Sequence, residues 1–283
     1  MNWVVESLLA LMFFVLTQVL GKTTWRAGVP FSVINFATYA VAVLVFLVAG
    51  AATGIGTSAP GAYFLVVFAA VCIYAGNASS IRGFNRAPNP GYSTAIVKSY
   101  VVITLAASIF LFGGEFSWAK IAGVALILAS QLLILANEKG KRKATGRHWA
   151  KYSFGAFFAY AALSITVKYA TLAGINQLVF LFWSMLLSLS FFYAETMLRK
   201  INILDHKKQA GPLLLMGVAS GFGNIFMWNA FTHAPNMGYV NAIHIANVAI
   251  ISLLAVKLFG DELTRKKSLG IAGVTAGLII IMI

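Results

Sequence analysis

The sequence predicts an all-α integral membrane protein of ten transmembrane helices, arranged as two five-helix repeats of opposite orientation. Three observations carry this. The chain of 283 residues is 60% hydrophobic and only 10% charged, whereas a soluble domain carries about a quarter of its residues as Asp, Glu, Lys and Arg. So few charges cannot cover a surface that faces water. The apolar residues also gather into ten runs, each long enough to cross a hydrocarbon core of about 30 Å. Finally, a short motif recurs halfway along the chain.

The runs fall at 3–22, 31–50, 61–81, 90–112 and 117–137, then at 150–170, 175–198, 210–232, 237–259 and 266–283. They are read as helices because a spanning segment must satisfy its own backbone hydrogen bonds. The N-terminal run lacks a basic flank and a small-residue cleavage site, so it reads as a retained first helix. Cys72 is the only cysteine, which excludes an internal disulfide and a cysteine-rich metal site. The net charge of +14 would suit a nucleic-acid binder only if it formed a basic face. Instead, 18 of the 21 Lys and Arg residues cluster at short connections, as positive residues do on the cytoplasmic side of a membrane.

The longest polar stretch, 138–149, contains Glu138-Lys-Gly-Lys-Arg-Lys-Ala-Thr-Gly-Arg147 and divides the chain into 1–137 and 150–283. Ala87-Pro-Asn-Pro-Gly-Tyr92 recurs as Ala234-Pro-Asn-Met-Gly-Tyr239, an offset of 147, and 15 of the 37 positions from Ala87 to Gly123 match at that offset. Gly76-Asn77 matches Gly223-Asn224 likewise. Scattered Leu and Val identities follow from composition; a repeated APN-x-GY does not. Five spans is an odd number, so the second copy enters the membrane upside down. The charges agree: basic residues follow spans 1, 3, 5, 7 and 9, while the other connections hold little beyond Lys120, Lys168 and His233. This bias places 138–149 in the cytoplasm and both termini outside, in a cell (inner) membrane.

Together these features resemble the EamA-type members of the drug/metabolite transporter superfamily. The resemblance covers essentially the whole chain. It rests on the two APN-x-GY helix starts and on the Phe112-Gly-Gly-Glu115 and Phe259-Gly-Asp-Glu262 turns. It implies a central cavity lined largely by helices 3, 4, 8 and 9, and carriage of small organic solutes without ATP hydrolysis. Members are usually drawn with both termini in the cytoplasm, and the charge bias here places them on the other side.

Lys98 stands out as the only Lys or Arg well inside a predicted span. An unpaired ammonium at that depth costs several kcal/mol, so it is either one half of a structural pair or an anchor for a substrate carboxylate or phosphate. Asn241, His244 and Asn247 recur at spacings of three on one face of span 9. They serve helix–helix hydrogen bonding or substrate contact, and His244 is also a candidate for coupling to a proton. Asn77 and Asn224 hold equivalent places beside Gly76 and Gly223. Tyr100, Trp183 and Trp228 are candidates for an aromatic cavity wall, with membrane-core packing as the alternative. No phosphate loop, HExxH, nucleophile triad or cofactor motif is present, so neither an enzyme nor a cofactor is expected. The expected function is secondary transport, as an exporter, of anionic or zwitterionic metabolites such as amino acids. A cation or multidrug exporter would want a mid-span Asp or Glu. A channel and an intramembrane enzyme are the rivals from other classes.

Overall fold

The computed structural model describes residues 2–53, 60–135 and 148–283. Within them the chain forms α1 (Trp3–Arg26), α2 (Phe31–Thr53), α3 (Pro60–Arg86), α4 (Pro90–Lys98), α5 (Tyr100–Phe112), α6 (Trp118–Leu135), α7 (His148–Leu172), α8 (Gln177–Leu198), α9 (Ala210–His233), α10 (Met237–Ile245), α11 (Asn247–Phe259) and α12 (Arg265–Met282), with a 3₁₀ segment at Ile203–Gln209 and no strand among the described residues. Nine described stretches are long and apolar enough to cross a bilayer, counting α4–α5 and α10–α11 as one stretch each. The tenth, α12, opens on Arg265-Lys266-Lys267, which shortens its apolar part. The protein is a multi-pass membrane protein. Large apolar side chains such as Phe64, Val48, Phe110 and Leu198 are left exposed on the outer helix faces, where only lipid makes them tolerable.

The spans predicted from sequence match these helices closely, with two corrections. Spans 1 and 3 run on to Arg26 and Arg86, so Lys22, Arg26, Arg82 and Arg86 sit on last helical turns rather than in connections. Basic side chains complement the carbonyls exposed there and are long enough to reach the membrane surface. The expected 138–149 linker is shorter than read, because His148 and Trp149 open α7; its remainder, 138–147, lies outside the described residues.

Local structure recurs at the sequence offset. The Asn89 side chain accepts from Gly91 N at 2.8 Å, and Asn236 from Gly238 N at 2.8 Å, capping α4 and α10 in the same way. Both α5 and α11 end on a left-handed glycine, Gly113 (φ 62°) and Gly260 (φ 69°). Gly113 N turns back to Ser108 O and Gly260 N to Ala255 O, and Gly114 N and Asp261 N reach the same two carbonyls at 2.8 and 3.2 Å, so each end satisfies a carbonyl that the helix leaves open. The breaks at Ser99 and Ala246 are likewise 147 residues apart.

The main helix pairs are α3 with α7, α1 with α9, α6 with α12, and α2 with α8 and α9. Exchanging the halves turns the first pair into the second and leaves the third unchanged. Small residues permit the closest of these approaches. A Cβ on Gly277 would lie 2.8 Å from Gly123 O, and one on Gly123 would lie 3.0 Å from Gly277 O, so α6 and α12 touch backbone to backbone. The buried core beside the breaks combines Leu11, Val15, Val101, Ile127, Ala242, Ile243 and Ile281.

Candidate functional site

Two membrane-length helices are interrupted near their middles, and the interruptions meet. At Ser99, φ −64° and ψ −6° tighten the helix, so that Val102 N bonds Ser99 O at 2.9 Å, three residues back instead of four. Ala246 does the same with Ala249 N at 3.0 Å. A break inside a membrane leaves polar backbone that some neighbour must satisfy. For the second break that neighbour is Gln131 of α6, fully buried, whose Nε2 donates to Ile245 O at 2.9 Å. Gln131 was not foreseen from sequence, although an amide inside the apolar run of span 5 is the same kind of signal that singled out Asn241.

Lys98 ends α4 and Asn247 begins α11. The ammonium donates to Asn247 Oδ1 at 2.8 Å, and no ion pair among the described residues includes Lys98. The fixed carboxylate required by a structural pair is therefore replaced by a neutral amide. Lysine carries three donors and no acceptor. Asn247 is wholly buried and its Nδ2 has no partner, and the buried Nδ1 of His244 also lacks one. His244 lies within electrostatic reach of Lys98, its ring 4.7 Å from Phe14. An orphaned buried donor costs about 1–3 kcal/mol. A cluster of ammonium and amide donors around such orphans is complementary to an acceptor, and best to an anion.

The other expected residues divide. Tyr100 stays with the cluster: its hydroxyl donates to Asn241 Oδ1 at 3.2 Å, and Asn241 Nδ2 donates to Thr104 Oγ1 at 3.1 Å. Asn241 is buried and its amide engaged on both sides, so its observed contacts tie α10 to α5. Tyr160 of α7, not singled out from sequence, lies 6.0 Å from Tyr100 ring to ring and packs on Gly76. Beside it, Asn77 Nδ2 donates to Tyr39 OH at 3.1 Å and Ile73 O at 2.8 Å. Asn224 makes the equivalent bond to its own helix, to Ser220 O at 2.8 Å. The two tryptophans do not join the cluster. Trp228 is buried in a separate core beside Phe180, centroids 5.0 Å apart, and Trp183 is 41% exposed on the outer face of α8.

A buried lysine corrects the reading of Lys168 as a connection residue. It sits in the last turn of α7, its Nζ donating to Phe231 O at 2.6 Å, near the C-terminal end of α9, where helix carbonyls favour a cation. Among the described residues the least exposed acid is Glu6, 2% exposed and bonded to His233 Nδ1 at 2.8 Å, so it is already partnered close to the start of α1.

The two halves differ in how tightly they meet. α5 packs on α10, and that end is sealed. Glu115 N donates to Pro235 O at 2.9 Å, Asn236 Nδ2 to Glu115 O at 3.0 Å, and the buried Tyr239 hydroxyl to Glu115 O at 3.2 Å. The exchanged pair, α4 with α11, has no comparable backbone packing. There Tyr92, the counterpart of Tyr239, is 47% exposed, and Glu262 is exposed as well.

A solved crystal structure superposes on this chain with a TM-score of 0.81 over 98% of it and 95% of the other chain, at 13% identity, a likeness of fold alone. No curated protein matches the sequence. The EamA-like transporter family model matches residues 148–283, a stretch that contains the Ala246 break, His244 and Asn247. Over residues 148–283 the chain is similar to the EamA-like transporter family, one of the families of the drug/metabolite transporter superfamily.

Proposed function

We propose that the protein is a secondary transporter, an exporter of small anionic or zwitterionic metabolites such as amino acids, working by alternating access between two inverted halves around a central cavity. The observation that carries the substrate class is Lys98: a mid-span ammonium held by Asn247 Oδ1 rather than by an acid, with unpartnered buried nitrogens on Asn247 and His244. A fixed carboxylate would neutralise Lys98 permanently; a neutral partner leaves that role to the substrate. A cation carrier would want an acid at this depth, and Glu6, the least exposed acid among the described residues, lies in the first turn of α1 and is bonded to His233.

The unequal seams support alternation. Sealed α5–α10 and loose α4–α11 are what one state of an inverted-repeat carrier presents, and exchanging the two arrangements gives the opposite state. On the charge reading the loose end faces the cytoplasm, with Arg82, Arg86 and the 138–147 segment. An impermeant thiol reagent applied to intact cells should leave a cysteine introduced at 138–147 unlabelled in a Cys72→Ala background.

The test of substrate class uses purified protein in liposomes. A metabolite collection is first screened by thermal shift, and hits are measured as transport. Lys98→Ala should abolish transport while leaving the melting temperature nearly unchanged. Lys98→Arg should retain at most part of the activity, since a planar guanidinium is not a compact ammonium. Unfolding of Lys98→Ala with normal transport by the surviving fraction would make Lys98 a structural residue and remove the anion reading.

A further inference from the structure

A second charged cleft lies away from the helix breaks, at the ends of α3 and α8. It encloses about 370 Å³ between Tyr74 and Arg82 of α3, Phe191, Ala194, Glu195 and Leu198 of α8, and the following Arg199. The volume is at the lower end of the range of about 300–1,000 Å³ typical of small-molecule sites. Glu195 is its least exposed charge, at 14%, and both guanidiniums address the same oxygen: Arg199 at 2.7 Å and Arg82 at 3.9 Å from Oε1. The Tyr74 hydroxyl is within hydrogen-bonding reach of Glu195. The arginines are about half exposed, and the wall continues into Phe191 and Leu198, which is 84% exposed on the membrane-length part of α8.

We infer that this cleft is a binding site for a phospholipid whose headgroup carries both a phosphate and a primary ammonium, as in phosphatidylethanolamine. The chemistry of the lining selects it. Two arginines at the end of membrane helices are suited to a phosphate. A purely anionic headgroup, however, would face the Glu195 carboxylate and the negative ends of α3 and α8. A headgroup that brings its own ammonium turns both into attractions, with the Tyr74 and Phe191 rings beside it for cation–π contact. A soluble phosphate ester would fit the polar half as well, but it would leave the apolar wall of Phe191, Ala194 and Leu198 uncovered; acyl chains cover it. Arg82 stands 3.9 Å from Glu195 Oε1, beyond hydrogen-bond length, so its guanidinium has donors to offer a phosphate. This inference depends on the membrane embedding of the chain and not on which solute it carries.

The experiment is lipid retention by the full-length protein, delipidated in detergent and offered phosphatidylethanolamine, phosphatidylcholine or phosphatidylglycerol with matched acyl chains, read by native mass spectrometry. Phosphatidylethanolamine should be retained about fivefold or more over phosphatidylcholine, which has the same phosphate but cannot donate to Glu195. Glu195→Gln should remove that preference, and Arg82→Gln should weaken retention of both lipids. Leu198→Ser, at an exposed position that cannot disturb folding, should weaken retention of every lipid equally. Equal retention of the two lipids by the native protein, or a preference unchanged by Glu195→Gln, would leave the cleft as an ion-pair brace between α3 and α8. Displacement by glycerophosphoethanolamine as effective as by the whole lipid would overturn the lipid assignment in favour of a soluble phosphate ester.

Discussion

Replacing Gly238 by alanine tests whether the α5–α10 seam opens during the working cycle. A Cβ at this position would lie 2.5 Å from Leu105 Cα, 2.7 Å from its Cβ and 2.9 Å from its Cδ1. Carbon atoms rest at about 3.5–4.0 Å, so α10 must withdraw from α5 by about 1 Å. Leu105 Cα is backbone and cannot turn aside. Overpacking of this kind costs about 1–3 kcal/mol. If the seam is sealed in one state and parted in the other, the cost falls on the sealed state alone and multiplies the parted population by about 5–150. The reporter is Ala107→Cys on a Cys72→Ala background, because Ala107 is 8% exposed and packs with Ala234, Met237 and Val240 in the seam. Its rate of labelling by an impermeant maleimide should rise by that factor in Gly238→Ala. Gly61→Ala is the control, since nothing lies within 4 Å of a Cβ there. Unchanged labelling together with a lowered melting temperature would show that the seam is static packing and that the substitution only strains the fold.

Gly277→Val addresses the opposite kind of contact, one with no reason to open. Its side chain would meet Gly123 O and Ile127 across α6–α12, so it should cost about 1–3 kcal/mol, read as a lower melting temperature with labelling of Ala107→Cys unaltered. Asn247→Asp would give Lys98 a carboxylate in place of an amide at 2.8 Å. Transport of anions should fall at least tenfold while the melting temperature holds or rises, as expected when a buried ammonium gains a hydrogen-bonded counter-charge; full activity in this variant would refute Lys98 as the substrate's anchor.

The helices were legible because their signal is long. Twenty apolar residues in a row, a Pro-Asn start and a Gly-Asp or Gly-Gly stop leave little freedom, and the span limits agree with the helices to a few residues. The breaks were not legible. Lys98-Ser99-Tyr100 and Ile245-Ala246-Asn247 contain neither proline nor glycine, and the interruption depends on tertiary partners such as Gln131 that no local pattern reveals. Within the site, Lys98 and Asn247 were visible as polar residues in apolar runs, but their bond spans 149 positions. Asn224 satisfying Ser220 O on its own helix shows why polarity at a given depth fixes no direction. Trp183 shows the same for aromatics: a membrane protein has an apolar outside, so a tryptophan within a span is as much at home facing lipid as facing the interior.

The repeat and the site stand in a physical tension that accounts for the arrangement seen at the two breaks. Their backbones agree in position, in dihedral angles and in the caps that precede them. Their side chains disagree at the break itself, over 97–100 and 244–247, although Ala95, Ile96 and Val101 on either side recur as Ala242, Ile243 and Val248. At the offset of 147, Lys98 faces Ile245, Val97 faces His244, Tyr100 faces Asn247, and Gln131 faces Leu278. Two symmetric breaks with identical side chains would create two equal polar centres, or two ammoniums repelling each other in a medium that screens little. Concentrating the cation on one break and the amide and imidazole on the other makes a single asymmetric centre. Only one Lys98 must then be kept without a fixed acid, and only one break needs the Gln131 amide that holds Ile245 O. On the proposed reading, the backbone keeps the symmetry that an exchange of states would require, while the side chains break it to form one place for one charged group.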